Sequence, residues 1–554
     1  CVIDDPILVE NADAIAWDDT ADVVVAGFGG AGATAAIEAR ENGADVLILD
    51  RFEGGGATAY SGGVYYAGGT RYQRDGGYED NADEMFKYLS IETRNAVSAE
   101  TLRRFCEESS DTIDWLASHG VPFEGSVYPK KTNMPPNGKF LYYSGNEKVP
   151  AYAEKAIPAP RGHCTVSKPD EGGLTYFAAL RKAALAQGVR IQTHSRVIRL
   201  IRDAAGRVIG VEALTLTDPS AQARHQTLYE KVNPVRPFNG ARAEQAIAES
   251  RALEVASGKR RRIRARGGVI LATGGYAYNL PMIAKHLPFL AEAYTSIMRL
   301  GSMGCDGSGI QLGQSVGGMT AKMQRGFVGR LITPPEALVH GLVVNTRGER
   351  FINEDIYNSV LGDAVMAQPD GIAWLVMDNE LFWKMLRQLL LHSEGTFRRY
   401  GAPILLNLLF GGTRKGTTIA KLESACGMTA GVLEKSIATV NAACMQGTPD
   451  PLGKNPDYLH LFGKGPYRAL NISITNKFAF TLFFTLGGLR VEETRGIVLT
   501  EDGTPIEGLY AAGRTAVGVC SDGYFSGMSL SDGAFSGRRA GRDAARMVVP
   551  GNHL

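Results

Sequence analysis

Short apolar runs, each leading into glycines or an acidic residue, recur along the chain and predict one buried parallel sheet. They cover residues 21–26, 46–49, 269–272 and 508–512. Runs of this kind, in which apolar and polar positions do not alternate, are typical of strands covered on both faces by helices. The pattern therefore predicts an α/β fold whose sheet takes strands from both ends of the chain.

The spacing of apolar residues between these runs predicts helices. One helix follows the first strand as far as residue 40, and another covers residues 529–545. Residues 240–257 are rich in alanine and predict a helix, and residues 381–391 have amphipathic helical spacing. Residues 403–410 are strongly apolar, which favours either core packing or a lipid-facing entrance to a site.

Length, charge and cysteine usage limit the classes of function. With 554 residues the chain can form two or more domains, and its net charge of +1 gives no reason to expect a nucleic-acid partner. The 7 cysteines include no CxxC pair, so we expect a reducing, cytoplasmic location, no disulfide scaffold and no metal site. The sequence shows no signal-peptide pattern and no apolar run of about 18 residues, so no membrane-spanning helix is expected.

The glycines after the first strand predict a dinucleotide site. Gly27 permits a tight turn, Gly29 lets backbone approach a pyrophosphate, and Gly32 lets the following helix pack closely on the strand. The N-terminus of that helix then faces the phosphates with its positive dipole. Asp50, at the end of the second strand, can accept hydrogen bonds from ribose hydroxyls.

Further glycine-rich turns favour FAD over NAD, because an extended cofactor would lie across all of them. Residues 54–63 form a second bend directly after Asp50, and two later strands run into Gly274 and Gly513. The alternative explanation is that these are ordinary strand ends of an α/β sheet. The predicted FAD-binding residues are Gly27, Gly29, Gly30, Ala31, Gly32, Asp50, Arg51, Gly56, Ala57, Thr58, Ser61, Gly62, Gly63, Ala272, Thr273, Gly274, Asp306, Gly513, Arg514, Ser529 and Leu530.

With these motifs the chain resembles the fumarate reductase/succinate dehydrogenase flavoprotein superfamily and, within it, the FAD-dependent 3-ketosteroid dehydrogenases. The resemblance covers nearly the whole sequence. It implies a Rossmann-like FAD-binding domain of residues 17–318 and 478–554, with an insertion at about 217–262. It also implies an α+β substrate or capping domain, residues 319–477, inserted between the two parts.

Two tyrosines stand where fumarate reductases of this superfamily have arginines that hold a dicarboxylate. Tyr357 lies three places after the glutamate of an Arg-Phe-Ile-Asn-Glu motif, and Tyr524 lies in Gly-Val-Cys-Ser-Asp-Gly-Tyr-Phe-Ser-Gly-Met-Ser-Leu. Cys520 of the second motif takes the place of a histidine. Burying a carboxylate without its cation is costly, so we expect a neutral, apolar, steroid-like substrate.

The second motif also indicates which bond is oxidised. Similar enzymes that form the C4–C5 double bond read Tyr-x-Ser there, which Tyr524 and Ser526 match. Enzymes that form the C1–C2 double bond have a glycine where this chain has Met528. The resemblance therefore implies a 3-ketosteroid Δ4-(5α)-dehydrogenase, with Δ1-dehydrogenation as the alternative.

Tyr357, Tyr524 and Ser526 are the predicted catalytic residues. In the implied reaction a proton leaves C4, beside the ketone, and a hydride passes from C5 to flavin N5. Our hypothesis is that Ser526 receives the proton, that the tyrosines pass it outward, and that a phenol or a backbone N–H holds the ketone oxygen. The three hydroxyls can exchange these roles. The alternatives are purely structural roles. Tyr357 would then form a buried hydrogen bond, and Ser526 would be a small residue that lets the flavin approach.

The predicted insertion, residues 217–262, is basic and ends in Lys-Arg-Arg-Arg. Such a run is typical of a solvated surface or of peripheral contact with an anionic bilayer, in which sterols dissolve. Two other functions stay open: a reductase of another unsaturated acid with a cation supplied elsewhere, and a non-catalytic flavin-bearing electron-transfer or lipid-binding subunit. If the chain dehydrogenates steroids, an electron acceptor of unknown identity must reoxidise the flavin.

Overall fold

A computed structural model describes residues 3–233, 235–391 and 401–548 of the chain, so residues 549–554 of the predicted return segment lie outside it. The strands are β1 (Ile7–Leu8), β2 (Asp19–Ala26), β3 (Val46–Leu49), β4 (Val64–Tyr66), β5 (Val127–Tyr128), β6 (Leu141–Tyr142), β7 (Gly162–Cys164), β8 (Arg190–Gln192), β9 (Ser195–Arg202), β10 (Val208–Leu216), β11 (Gly258–Leu271), β12 (Met298–Arg299), β13 (Thr320–Ala321), β14 (Gly326–Arg330), β15 (Leu342–Val344), β16 (Trp374–Met377), β17 (Arg414–Gly416), β18 (Tyr467–Asn471), β19 (Thr481–Thr485), β20 (Gly488–Leu489), β21 (Ile497–Leu499) and β22 (Pro505–Ala511). The helices are α1 (Gly30–Glu41), α2 (Gly56–Ala59), α3 (Arg71–Asp75), α4 (Ala82–Glu92), α5 (Ala99–Glu107), α6 (Ser109–Ser118), α7 (Pro150–Ala153), α8 (Gly172–Ala186), α9 (Pro219–Val232), α10 (Gly240–Ser257), α11 (Leu280–His286), α12 (Pro288–Glu292), α13 (Ser308–Ser315), α14 (Asn358–Met366), α15 (Asn379–Leu391), α16 (Ala402–Phe410), α17 (Ile419–Cys426), α18 (Val432–Gln446) and α19 (Met528–Arg546).

The predicted sheet is present and has nine strands. Its order is β1-β9-β10-β11-β2-β3-β8, with β22 beside β11 and β21 beside β22. The pairs β22–β11, β11–β2, β2–β3 and β3–β8 are parallel, and α1 forms the crossover between β2 and β3. The predicted α/β fold is confirmed, and strands from both ends of the chain meet at β11.

The two helices that begin at the carboxyl edge of this sheet pack against each other at backbone distance. A Cβ built on Gly537 of α19 would lie 2.4 Å from the Ala31 carbonyl oxygen of α1, and one on Gly541 would lie 2.2 Å from that of Ala35. Glycine is therefore required at these positions, and the two helices run parallel. As a result the N-termini of α1 and α19 open onto the same space.

The region between β10 and β11 contains the predicted helix of residues 240–257 and a second helix before it. It forms the helix pair α9 and α10, and the basic run at its end is the first part of β11, antiparallel to β10. Arg260 Nη1 lies 2.5 Å from Glu212 Oε1, and Arg262 Nε lies 3.0 Å from Glu212 Oε2. Since a sheet carboxylate pairs with these arginines, the run is not a free basic patch.

Residues 342–391 and 401–471 form a second layer around the antiparallel sheet β15-β16-β18-β17, flanked by α14 to α18. A small sheet, β12-β19-β14, joins this layer to the FAD-binding part. The arrangement matches an α+β second domain, while the exact boundaries at 318 and 478 stay predictions. Within the described ranges, no helix is long and apolar enough to cross a membrane.

Candidate active site

A cavity of about 690 Å³ extends from the glycine turn after β2 to the inserted layer. Most of the predicted site residues line it. They are Gly27, Gly29, Gly30, Ala31, Asp50, Arg51, Gly56, Ala57, Thr58, Ser61, Gly62, Ala272, Thr273, Gly274, Tyr357, Gly513, Arg514, Tyr524, Ser526, Ser529 and Leu530.

Three predicted cofactor residues lie behind the cavity wall and support it. A Cβ on Gly32 would lie 1.9 Å from the Gly27 carbonyl oxygen, so Gly32 serves the turn and the close packing of α1. Gly63 adopts φ +67° and lies against Gly172 in the same way. Asp306 is buried behind Arg51, whose Nη1 it binds at 3.0 Å.

The shape of the cavity near the glycine turn fits a dinucleotide. A Cβ on Gly29 would have no protein atom closer than 3.7 Å, and one on Gly56 none closer than 3.9 Å, so either methyl group would occupy the cavity itself. These glycines keep open a cradle at the N-termini of α1 and α2, where backbone N–H groups and the helix dipole favour phosphate. The residues that are present therefore fit the diphosphate of FAD.

Two sets of contacts fix the loops of this cradle, and the predicted acceptance of ribose hydroxyls by Asp50 stays a prediction. Asp50 Oδ2 accepts from the Phe28 backbone N–H at 2.6 Å, and Oδ1 accepts from that of Phe52 at 2.8 Å, so the carboxylate first fixes the loops around it. Burial raises the pKa of Asp50, and these hydrogen bonds oppose that rise. The Gly30 N–H donates to Thr58 Oγ1 at 2.9 Å, which ties the first glycine turn to the second.

A buried charge cluster holds Arg51 at the cavity wall, and its central carboxylate comes from α10. Glu254 Oε1 lies 2.5 Å from Arg51 Nε, and Oε2 lies 3.1 Å from Arg196 Nη1. His225 of α9 places Nε2 2.9 Å from Glu254 Oε1. Burial opposes ionisation of Glu254, but the two arginines and the histidine outweigh it and hold the pKa of this carboxyl well below its usual value. The α9–α10 pair thus holds Arg51, a predicted FAD-binding residue, at the wall of the cavity.

Tyr524 is held by aromatic side chains of β14 and β19. Its ring packs edge-on against Phe327 and Phe484, with centroid separations of 4.9 Å and 4.8 Å. Burial raises the pKa of Tyr524 to about 12, against a smaller opposing effect from the Ser529 hydroxyl. The phenol therefore stays protonated at neutral pH and can donate a hydrogen bond.

Ser526 lies two residues further along the same loop, and its hydroxyl has a partner that the sequence did not reveal. Tyr142 Oη, at the end of β6, lies 3.1 Å from Ser526 Oγ. Ser144 Oγ donates to the Ser526 carbonyl oxygen at 2.9 Å and fixes the loop backbone. The β6 segment thus positions Ser526 at the cavity wall.

Tyr357 reaches the same wall from the start of α14. Its backbone N–H donates to Asn146 Oδ1 at 2.5 Å, and its side chain is buried. Ser359, in the first turn of α14, donates from Oγ to the Tyr524 carbonyl oxygen at 2.7 Å. This bond connects the two motifs, so the structure brings Tyr357, Tyr524 and Ser526 to one cavity although their catalytic roles stay predictions.

Several lining residues were not predicted. Tyr229 of α9 packs against Phe52 with the rings tilted by 33° and their centroids 4.3 Å apart, and Arg330 ends β14. Residues 403, 404 and 407 of α16 also line the cavity, and their only sequence signal was the strong apolar character of that segment. Neither Tyr142 nor Arg330 belongs to a motif, so only their position in the folded chain reveals them.

Comparison with known proteins agrees with this site. Residues 22–531 match the family described as FAD binding domain. The chain is 39% identical over 521 residues to the 3-oxo-5-alpha-steroid 4-dehydrogenase of Comamonas testosteroni, an alignment that covers 91% of this chain and 94% of that protein.

Two solved structures are similar to it along nearly their whole length. The 3-ketosteroid-delta4-(5alpha)-dehydrogenase from Rhodococcus jostii RHA1, in complex with 4-androstene-3,17-dione, superposes with a TM-score of 0.79 at 33% identity, covering 98% of this chain and 100% of that chain. The 3-ketosteroid delta1-dehydrogenase from Sterolibacterium denitrificans, at 19% identity, shares the fold with a TM-score of 0.66 and covers 95% of this chain and 99% of that one.

Proposed function

The chain belongs to the FAD binding domain family and, within the fumarate reductase/succinate dehydrogenase superfamily, to the 3-ketosteroid Δ4-(5α)-dehydrogenases, and from this premise we propose that it desaturates a 5α-3-ketosteroid between C4 and C5. It is an FAD-dependent dehydrogenase, as its sequence motifs implied. FAD, when bound, supplies the acceptor for the hydride that leaves C5.

The observation that carries the proposal is the pair of hydroxyls, Tyr524 and Ser526, on one loop of the cavity wall beside the N-terminus of α19. Tyr524 is a protonated donor, because burial raises its pKa to about 12. Ser526 Oγ instead has a hydroxyl neighbour, Tyr142 Oη. One short loop therefore offers both a donor for a ketone oxygen and an oxygen that can take the adjacent proton.

The residues act on the two ends of an enolate. Tyr524 donates to the C3 oxygen and stabilises the negative charge that develops there as the C4 proton leaves. Ser526 Oγ takes that proton while giving its own to a neighbouring hydroxyl, since serine alone is a weak base. Tyr142 Oη takes the Ser526 proton and releases its own phenolic proton, and Tyr357 is the hydroxyl that passes a proton on to solvent, so that each relay residue ends neutral. Arg514 lines the cofactor end of the cavity, with its guanidinium 4.8 Å from the Phe484 ring centroid.

Anaerobic mixing tests the class of reaction. A saturated 5α-3-ketosteroid should bleach the flavin of the oxidised enzyme, and fumarate should leave the reduced enzyme bleached. A reductase of an unsaturated acid would show the reverse behaviour, and a flavin-bearing protein without catalysis would respond to neither compound.

Tyr142→Phe should lower kcat about tenfold to a hundredfold with little change in KM, because it removes the hydroxyl that exchanges a proton with Ser526. The solvent deuterium isotope effect on anaerobic flavin reduction should change as well, which a purely packing role of Tyr142 would not produce. Tyr467→Phe is the matched control, since Tyr467 Oη donates to the Gly463 carbonyl oxygen outside the cavity. Equal kinetics for both variants would remove Tyr142 from the proton path.

We also propose peripheral membrane contact at the cavity entrance, through α16. In this helix the buried side chain is the polar Asn407, whereas Leu409 is 73% and Phe410 63% exposed. Asn407 and Ile404 of the same helix line the cavity, so one helix carries both an exposed apolar surface and part of the cavity wall. This support comes from α16 and not from the basic run of β11. The cytoplasmic location and the electron acceptor stay predictions.

Leu409→Asp/Phe410→Asp should reduce co-sedimentation with anionic liposomes severalfold, because it places two charges on this apolar surface. Met445→Asp, a change at an exposed apolar residue of α18, is the control for added charge. Wild-type protein that stays in the supernatant at low salt would end the proposal of membrane contact.

A further inference from the structure

One strand of the cavity wall leads from the predicted catalytic hydroxyls towards the protein surface. Phe484 and Leu482 of β19, and Phe480 directly before it, line the cavity, whereas residues 481 and 483 do not. This alternation places the three apolar side chains on one face of the strand. The Phe484 ring packs against Tyr524 with centroids 4.8 Å apart, so this face begins at the reacting end of the cavity.

The apolar face is longer than the nucleus of a steroid. Four residues separate Phe484 from Phe480, and four residues of extended chain span about 13 Å, which exceeds the length of a four-ring nucleus. In a ligand whose C3 oxygen meets Tyr524, C17 is the ring carbon at the opposite end of the nucleus. A substituent on C17 can therefore reach Phe480 and Phe478, both of which line the cavity.

Four aromatic side chains form the outer end of this route. The ring centroid of Phe478 lies 5.6 Å from that of Phe238, just before α10, and 6.0 Å from that of Phe410, the last residue of α16. The centroids of Phe480 and Phe238 are 6.2 Å apart. Phe238 and Phe410 are both exposed. Phe238, Phe410, Phe478 and Phe480 thus form an aromatic mouth between the cavity and the solvent.

The polar side chains beside the aromatic mouth do not offer a site for a polar substituent. Asn407 lines the cavity, but its Nδ2 donates to the Asn471 carbonyl oxygen at 3.0 Å and its Oδ1 accepts from Asn476 Nδ2 at 3.0 Å. Arg236 also lines the cavity and is exposed, so water solvates its charge. The exposed rings, in contrast, lose contact with water when an apolar group covers them, which favours a hydrocarbon ligand.

We propose that the aromatic mouth binds a hydrocarbon side chain on C17, so that the preferred substrates are 3-ketosteroids that retain an alkyl side chain. This inference rests on the proposed function and specifies its substrate class. The nucleus lies between Tyr524 and Phe480, and the side chain leaves the cavity past Phe478, where it covers Phe238 and Phe410. The ring system and the alkyl chain are then recognised by separate parts of one route.

The test compares kcat/KM for three saturated 5α-3-ketosteroids. The first has a ketone at C17, the second a two-carbon alkyl side chain and the third a branched eight-carbon alkyl side chain. One buried methylene contributes about fourfold, so wild-type enzyme should prefer the eight-carbon side chain to the ketone by at least about tenfold. The ratio within one variant is the readout, because a loss of fold or of flavin lowers all three values together.

Two variants separate the inner and outer parts of the aromatic mouth. Phe478→Ser should lower the preference for both alkyl steroids about fivefold, because Phe478 lines the cavity. Phe238→Ser should lower only the preference for the eight-carbon side chain, because Phe238 lies beyond Phe478 and does not line the cavity. Phe86→Ser is the control, since the Phe86 ring packs outside the cavity, 3.9 Å from the Arg103 guanidinium, and its loss should keep every ratio.

Equal wild-type kcat/KM values for the three steroids would overturn the inference and leave the proposed function intact. Ratios that stay at the wild-type level in both Phe478→Ser and Phe238→Ser would have the same meaning. So would a wild-type preference for a steroid whose side chain ends in a carboxylate, because Arg236 would then be the group that recognises the chain. Failure of wild-type enzyme to oxidise any of these steroids would instead reject the proposed function.

Discussion

Ser526→Ala should lower kcat by about 10²-fold to 10⁴-fold while the protein retains its flavin, because general-base assistance at the C4 proton is lost. Tyr524→Phe should have an effect of about 10²-fold to 10³-fold, since it deletes the donor to the C3 oxygen. Neither change alters the diphosphate cradle, and each removes a single hydroxyl oxygen. Stopped-flow measurement of anaerobic flavin reduction reports the chemical step directly.

Ser110→Ala is the matched control for Ser526→Ala. Ser110 Oγ donates to the Gly69 carbonyl oxygen at 3.1 Å and lies outside the cavity, so its loss should leave flavin reduction near the wild-type rate. If Ser526→Ala reduced its flavin as fast as this control, Ser526 would be no more than a small residue beside the cofactor. The catalytic assignment would then pass to the tyrosines.

Glu254→Gln should destabilise the enzyme by about 3–5 kcal/mol, because it removes the carboxylate that two buried arginines share and leaves Asp306 as the remaining buried carboxylate beside them. Arg51 lines the cavity, so the same change should also lower the fraction of protein purified with FAD. Thermal unfolding and the flavin-to-protein absorbance ratio measure the two effects.

The control for this change lies on the same helix. Glu249 pairs with Arg224 at an exposed position, and exposed pairs contribute about 0–1 kcal/mol, so Glu249→Gln should unfold near the wild-type temperature. Similar unfolding temperatures and flavin contents for both variants would show that the contact of the α9–α10 pair with Arg51 does not serve the cofactor site.

Local patterns predicted the nucleotide-binding half of the molecule well. The β3 and α10 bounds agree with the sequence expectation, and α19 covers residues 528–546 where 529–545 was predicted. Glycine turns and buried strands depend on neighbouring residues, so a short window contains the whole signal. The Tyr524–Ser526 loop was found for the same reason, because both residues share one motif.

Contacts between distant segments could not be predicted. Tyr142 and Ser526 are 384 positions apart, and Glu254 lies 203 positions from Arg51. Neither Tyr142 nor Glu254 carries a local pattern, and only the packing of β6 and α10 reveals their partners. The ion pairs of the basic run at 259–262 could not be predicted either, because only the β11–β10 pairing brings Arg260 and Arg262 to Glu212.

The position of the new double bond tests the account most directly. Wild-type enzyme would be incubated with a saturated 5α-3-ketosteroid and an artificial electron acceptor, and the product identified by NMR. We predict a C4–C5 double bond, with the hydrogens lost from C4 and C5. A C1–C2 double bond, or recovery of the unchanged steroid while fumarate is reduced, would contradict the assignment of Tyr524 and Ser526 to the C3 oxygen and the C4 proton.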